Sequence, residues 1–535
     1  MVSSLLISPN VASTLLEATQ TTITAAVIVA LAALNWDYIR ILQLRRKLPP
    51  GPFPWPIVGN HFQIPRSRPW VEWEKWAQYY GSPLTTIWVG REPRILVQDA
   101  WADSELMEKN AHIFSTRPKL FMMGEVIGMS KTNQTMPAAW ASHSAVGLQA
   151  VRHYRPEQAN EAKVLMRDIL LDPADYVAAI ERYSVSITSI IGWGRRINMK
   201  NDYVAKLALA IMDHVDWVIP GRYLLETLPW LDRLPKWIYS FSARMRTSSK
   251  VSMKYFYMLS QEGAQAKQSN FSRELLRSQD QQGLSDVEVA TLTVNLIGGG
   301  VDTTSSTMIS CILAMCAFPE VQRRAQREID AVVGPDRSPT WQDVDDSLPY
   351  MRALVQEVLR WRTVTVLSGL PHASTVDYVY QGFLIPAGTP IIGNMWAIHR
   401  NTRDFPDPDV FQPERFLEGP YKRSYPNSRG SNPFGWGRRQ CSGQPLAEQG
   451  LLYSLTRLIW AFNIQPGLDE QGNEVPLDIF AYCESENIRP LPFSARFTPR
   501  NPVIRELILK EAEVAREELR IWDGDTKLTM ADATV

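Results

Sequence analysis

Apolar residues along this chain fall into three kinds of run. The first is continuous: Thr21 to Trp36 is nearly unbroken, and Ile39, Ile41, Leu42 and Leu44 extend it weakly past Asp37 and Arg40. The unbroken part is shorter than the roughly 20 residues that span a bilayer comfortably. Arg45, Arg46 and Lys47 follow it, and positive charge on that flank marks the cytosolic side of a span. A cleaved signal peptide wants basic residues ahead of its apolar run, and residues 1–20 hold none. A membrane anchor at about 21–44 is therefore expected, with a buried core helix as the rival. The second kind of run repeats near every 3.6 residues and predicts helices over Pro69–Tyr80, Val177–Gly192, Tyr203–Val218, Leu284–Phe318, Tyr350–Arg362, Gln444–Phe462 and Ile504–Trp522. The third is short. Leu84–Val89 and Arg94–Val97 read as strands about a turn at Gly90-Arg91-Glu92-Pro93. Tyr378–Ile385 and Pro390–Ile392, split by Pro386-Ala387-Gly388, read as a hairpin, and Leu491–Phe497 as a further strand with pocket residues. The expectation is a mainly α protein with a small β region.

Proline punctuates this pattern. Five of the eight residues from Pro49 to Pro56 are proline, which rules out helix and predicts a stiff extended connector. Pro220-Gly221-Arg222-Tyr223 closes the Tyr203 helix, and the segment Leu224–Tyr239 is rich in Leu, Trp and Pro.

Composition narrows the class. With 45% hydrophobic and 21% charged residues the chain can bury a large core. Its formal net charge is zero and it has no long basic block, so nothing points to nucleic acid. Cys311, Cys316, Cys441 and Cys483 have neither disulfide nor zinc spacing; Cys311 and Cys316 lie in an apolar helical run as packed thiols.

Three stretches carry candidate chemistry. In Asn432-Pro433-Phe434-Gly435-Trp436-Gly437-Arg438-Arg439-Gln440-Cys441-Ser442-Gly443 a single cysteine follows two arginines and precedes a helix. Glycines at 435, 437 and 443 let the backbone come close to something flat. A helix start stabilises a thiolate, and arginine supplies fixed positive charge. A thiolate ligand to haem iron fits these residue types, and so does a structural cysteine in a turn. In Gly298-Gly299-Gly300-Val301-Asp302-Thr303-Thr304 three glycines interrupt a helix at a cost of about 1 kcal/mol each. An acid and two hydroxyls there suit a proton relay, or a kink whose threonines bond back to helix carbonyls. Glu357 and Arg360 stand three apart on one helix face.

Together these stretches resemble the cytochrome P450 family. Phe434, Gly437, Arg439, Cys441 and Gly443 match every fixed position of its haem loop, Phe-x-x-Gly-x-Arg-x-Cys-x-Gly. Gly299, Gly300, Asp302, Thr303 and Thr304 match its oxygen-activating helix, Glu357 and Arg360 its Glu-x-x-Arg, and the three occur in family order. The resemblance implies that Cys441 is the axial ligand of haem iron, Arg439 a propionate partner, and Phe434 a cover for the sulfur. It makes Thr303 the oxygen-activating hydroxyl and Asp302 its proton-delivery partner. It joins Arg415 to Glu357 and Arg360 in a structural network, and puts His372 where many members bind a propionate. Val364–Leu370 would line the substrate pocket, and Leu224–Tyr239 would lie over the substrate channel near the membrane, its residues alone fitting an ordinary apolar loop buried against the core equally well.

One departure stands out. The family usually carries Trp-Arg-x-x-Arg where this chain has Trp140-Ala141-Ser142-His143-Ser144, so two basic propionate partners are lost unless His143 compensates.

The implied protein has an N-terminal segment (1–44), a basic, proline-rich hinge (45–56), a cytochrome P450 catalytic domain (57–500) and a charged, solvated C-terminal tail (501–535). It would be a haem b monooxygenase using O2 and electrons from an NADPH-cytochrome P450 reductase. It would sit on the endoplasmic reticulum membrane by a single span, facing the cytosol. Its layout looks like that of fungal enzymes of secondary metabolism, which implies a lipophilic terpenoid, polyketide or alkaloid substrate. The rivals are a reductase-independent haem-thiolate isomerase, dehydratase or peroxide user, and a non-catalytic haem-binding membrane protein.

Overall fold

A computed structural model describes residues 9–128, 145–199, 201–212, 218–417 and 424–534. Trp140 to Ser144 lie outside them.

The N-terminal run is one helix, α1 (Pro9–Arg45). Its span from Ala18 to Arg45 is long and apolar enough to cross a membrane, and no residue of its most apolar stretch is buried. The hinge that follows does not swing free. Thr86 donates its N–H to Pro50 O at 2.9 Å, and Leu384 donates to Lys47 O at 2.8 Å. Tyr38 reaches back to Pro54 O at 2.9 Å.

Proline at its first turn starts α2 (Pro69–Tyr80), and the left-handed Gly81 stops it. The strands β1 (Leu84–Val89) and β2 (Glu92–Val97) form a hairpin with Val89 opposite Glu92. The turn is thus the two residues Gly90 and Arg91, tighter than expected. Helices α3 (Arg155–Leu171), α4 (Tyr176–Trp193) and α5 (Tyr203–Met212) follow, then α6 (Phe241–Ala264) and α7 (Phe271–Gln282). The stretch expected to extend α5 through 213–217 lies outside the described residues.

The spine is α8 (Asp286–Ala317), packed against α4, α5 and α6. It starts where expected, in a reciprocal capping box: Ser285 Oγ accepts the Glu288 N–H at 3.3 Å, and the Glu288 carboxylate accepts the Ser285 N–H at 2.9 Å. Helices α9 (Pro319–Val333) and α10 (Pro349–Trp361) carry the chain to the other side of the core.

The β region corrects one expectation. Strands β3 (His372–Ala373) and β6 (Pro390–Gly393) join β1 and β2 in a four-stranded sheet of order β1-β2-β6-β3. The hairpin is instead β4 (Tyr378–Tyr380) with β5 (Phe383–Ile385). Gln381 and Gly382 both have positive φ, 48° and 85°, which is the geometry that a two-residue hairpin turn demands. Pro386-Ala387-Gly388 hands the chain to the other sheet.

Helix α11 (Gln444–Ala461) is almost wholly buried. It leads into β7 (Phe462–Pro466), which pairs with β8 (Ala495–Pro499). The charged tail is not solvated all round. Helix α12 (Pro502–Leu519) buries Ile504, Ile508, Ala512, Ala515 and Leu519, and polar residues cover only its outer face.

Candidate active site

A cavity of about 540 Å³ lies between α8, the loop before α11 and the segment 363–372. Most of the sequence-predicted site residues line it: Thr303, Phe434, Arg439, Cys441, Gly443 and His372.

Cys441 is open to this cavity but enclosed by protein elsewhere. Burial pushes its thiol up, while the N–H groups of Gly443 and Gln444, at the start of α11, pull it down. Its own N–H is donated to Phe434 O at 2.9 Å, which closes the loop. Gly437 has φ 59°, and a Cβ there would stand 2.1 Å from Met107 O. The backbone at Met107 is by itself enough to require a glycine here. Gly443 meets no such obstacle, its nearest neighbour being the Cys441 sulfur at 3.8 Å.

Across α8 the glycines divide. A Cβ on Gly300 would fall 2.4 Å from Thr188 Cγ2 on α4, whereas one on Gly299 would meet nothing within 4 Å. Gly300 lets two helices touch, and Gly299 leaves the cavity wall open. Thr303 lines the cavity and donates its hydroxyl back to Gly299 O at 2.6 Å. Asp302 is buried beside Ser306, whose hydroxyl donates to Asp302 Oδ1 at 3.3 Å, and it is not part of the lining.

A cationic cluster occupies another part of the wall. Arg439 Nε donates to Ser115 O at 3.0 Å. His372 Nδ1 pairs with Phe114 O at 2.8 Å. Arg117 Nη1 donates to Pro371 O at 3.1 Å and also to Leu370 O. Burial, with Arg117 and Arg439 alongside, holds the His372 imidazole far below its ordinary value, at about 3. Burial and Arg439 pull Arg117 down to about 10. Among the described residues, the hydrogen bonds of this trio go to backbone carbonyls only, so its charge is left for an anion. Sequence reasoning gave Arg117 no site role: it stands in no catalytic motif, and 254 residues lie between it and His372.

Two more residues were missed. Glu486 and Asn487 line the cavity where Leu491–Phe497 was expected to. The chain turns back there, with Val366 N–H donated to Glu486 O at 3.1 Å and Ile488 N–H to Val364 O at 2.8 Å. Val364 to Leu370 lines the cavity at most of its positions, as expected.

Behind the loop, Glu357 and Arg360 are fully buried and form a two-point ion pair at 2.6 and 2.8 Å. Arg415 Nε stands 3.5 Å from Glu357 Oε1, and Gln412 N–H donates to the same oxygen at 2.9 Å. Arg360 also ties down the carbonyls of His399 and Pro408. All three lie outside the cavity lining.

The family model described as Cytochrome P450 matches residues 49–480 of this chain. The chain belongs to the cytochrome P450 family. Curated relatives agree. A cytochrome P450 monooxygenase of Armillaria gallica is 32% identical over 494 residues, covering 88% of this chain and 94% of its own. Cytochrome P450 monooxygenase 58 of Postia placenta is 32% identical, over 85% and 89%. The cytochrome P450 monooxygenase yanC of Aspergillus niger is 31% identical, over 89% and 94%. This P450 is accordingly an oxidoreductase of the monooxygenase type, and its family implies haem iron, O2 and electrons from a redox partner. The cavity fits an anionic, flat, iron-bearing group: it offers one thiol, two arginines without carboxylate partners among the described residues, and a wall left open at Gly299.

Proposed function

We propose that this P450 is a haem b monooxygenase that draws electrons from an NADPH-cytochrome P450 reductase and oxygenates a lipophilic small molecule. The observation that carries this reading is the single cavity that gathers Cys441, Thr303 and the Arg117–Arg439–His372 cluster. Haem, when bound, supplies oxygen activation, and a thiolate ligand favours O–O cleavage. Cys441 holds the iron, with the Gly443 and Gln444 N–H groups steadying its negative charge. Phe434 covers the loop on which the sulfur sits. Arg439 and Arg117 hold the carboxylate side chains of the ring, and neutral His372 adds one polar contact. Arg117 takes over charge that the family usually places near Trp140. Thr303 presents a hydroxyl to the cavity and Asp302 feeds protons toward it from behind. Glu357, Arg360 and Arg415 fix the scaffold and touch no substrate.

Val364, Leu367 and Leu370 give the substrate an apolar wall, which supports a lipophilic secondary-metabolite intermediate of terpenoid, polyketide or alkaloid type. The apolar α1, with Arg45, Arg46 and Lys47 at its end, supports a single span in the endoplasmic reticulum membrane with the catalytic domain in the cytosol. The position of Asp302 off the cavity lining favours a second reading, a reductase-independent haem-thiolate isomerase, dehydratase or peroxide user, which does not draw the two protons that reductive activation of O2 consumes.

The test is the spectrum of the reduced carbon monoxide complex. A strongly red-shifted Soret band is expected, and Cys441→Ala should abolish it; survival of the band in that variant refutes the ligand assignment. Substrate-dependent NADPH consumption with a reductase then separates the first reading from the second.

A further inference from the structure

His399 is 1% exposed, and none of the chemistry above uses its ring. It follows a short helix, Met395–Ile398, and stands between the Glu357–Arg360 pair and the loop that carries Cys441. Its backbone belongs to the scaffold, since Arg360 Nη1 donates to His399 O at 3.1 Å. Its ring reaches from the scaffold to the loop. Nδ1 pairs with the Thr363 hydroxyl, two residues beyond α10. Nε2 meets the first residue of the loop, 3.2 Å from Asn432 N and 3.1 Å from Asn432 Oδ1.

The neighbours decide where the ring proton sits. Thr363 Oγ1 lies 2.8 Å from Leu359 O and has one hydrogen to give. Giving it to that carbonyl, the hydroxyl accepts from His399 Nδ1–H, and the bare Nε2 accepts the Asn432 N–H. The Asn432 amide is oriented by its own neighbours: Oδ1 accepts from the Tyr425 hydroxyl, and Nδ2 meets Met395 Sδ at 3.1 Å. The opposite tautomer spends an Nε2–H on an oxygen that Tyr425 already serves. It also leaves the Asn432 N–H, which has no other acceptor among the described residues, unpaired. Asn432 is 3% exposed, so that orphan is expensive. The ring is therefore a neutral acceptor toward the loop.

Backbone bonds carry the hold onward. Asn432 O accepts the Gly435 N–H at 3.0 Å, and Phe434 O accepts the Cys441 N–H at 2.9 Å.

We propose that His399 is a positioning residue for Cys441: by accepting the Asn432 N–H at Nε2, it fixes the start of the loop against the Glu357–Arg360 scaffold and keeps the sulfur aimed into the cavity. This rests on the reading of Cys441 as the iron ligand.

Two measurements on the full-length, haem-loaded chain test it, both at a temperature where the chain stays folded. One is the lifetime of the red-shifted carbon monoxide band, and the other is amide exchange across residues 432–441. His399→Leu removes the acceptor, so the band should decay and the loop exchange about tenfold faster. His399→Gln places an amide oxygen near the Nε2 position and should stay within about twofold of the wild type in both. His399→Asn reaches only the Nδ1 position, keeps the Thr363 side and should behave like His399→Leu. A role in filling space alone does not favour glutamine over asparagine in this way, and that pair decides even if the leucine variant fails to load haem. Equal band lifetimes in the glutamine and asparagine variants overturn the proposal. So does exchange that separates the two while the band does not, because the loop would then move without moving the sulfur. A wild type with no red-shifted band sinks the reading of Cys441 and this inference with it. A normal wild-type band with equal variants sinks this inference alone.

Discussion

Asp103 is fully enclosed at the edge of the active-site cavity, and burial pushes its carboxyl up to about 8, against a smaller pull from the Trp436 indole. The folded chain therefore keeps a proton that the unfolded chain gives up near pH 3.8. The stability this contributes is fully present below that value and is lost as pH rises through about 8. The melting temperature of the haem-free protein should fall across that window, and Asp103→Asn, neutral throughout, should remove that part of the fall; identical pH profiles would refute the assignment. Arg117 acts at the same wall. Arg117→Leu takes away one charged hydrogen-bond donor and should weaken haem retention by about tenfold or more, measured by haem transfer to an acceptor protein. Thr303→Ala should keep the carbon monoxide spectrum but cut product formed per NADPH roughly a hundredfold, the lower end of acid–base effects; unchanged coupling would leave Thr303 only its bond to Gly299 O. The motif residues Cys441, Arg439 and Thr303 were legible because each sits in a short fixed spacing. Asp103, Arg117 and Glu486 were not, because their roles arise only when segments hundreds of residues apart meet at one cavity.

At the scale of elements, α8 shows how one helix serves packing and site together. Gly299 and Gly300 are adjacent, yet the structure sets opposite outcomes for the same substitution. Gly300→Ala drives a methyl into Thr188, whose hydroxyl is held by Ser184 O and Val185 O, each at 3.1 Å. That overpacking should cost about 1–3 kcal/mol. Gly299→Ala meets nothing and gains helix propensity, so the haem-free protein should be stabilised by up to about 1 kcal/mol, while haem uptake suffers from the methyl in the cavity. Denaturant unfolding of the two variants side by side checks the contrast, and equal shifts would refute it. Helix ends with a local chemical cause, such as the Ser285 capping box, were readable from sequence. The hairpin was misplaced because two candidate turns lay within eight residues of each other. The pairing of Tyr378 with Ile385 and of Tyr380 with Phe383 shows which turn folds the strands together, with positive φ at both Gln381 and Gly382.

At the scale of the whole molecule, the C-terminal tail closes a loop that the period of α12 alone did not reveal. The family match ends at residue 480, but the chain goes on to fasten α12 against α3. Val164, Ile190, Ala515 and Leu519 share one apolar cluster, and Glu511 accepts from Arg457 on α11 at 2.5 Å. The last residues then cross to the helices over α8. Trp522 O accepts from the Arg196 N–H at 2.8 Å, and Gly524 O from Arg195 Nε at 2.6 Å. Leu528 O accepts from the Tyr255 hydroxyl at 3.3 Å, and Met530 N–H is donated to Tyr203 at 3.1 Å. Ala533 ends in a cluster with Trp193, Phe256 and Val294, and Val294 is itself a cavity-lining residue. Removing residues 521–535 therefore deletes four hydrogen bonds of about 1 kcal/mol each and unpacks a cluster that reaches the active site. A melting temperature lower by a few degrees is expected. Faster amide exchange should follow at 203–212 and 253–260, with exchange across α10 and α11 unchanged. If α5 and α6 exchange at the same rate with and without the tail, the strap is decoration. If they loosen, the tail sets how firmly the distal wall of the cavity is held, and substrates should then bind the truncated protein with faster association and faster release.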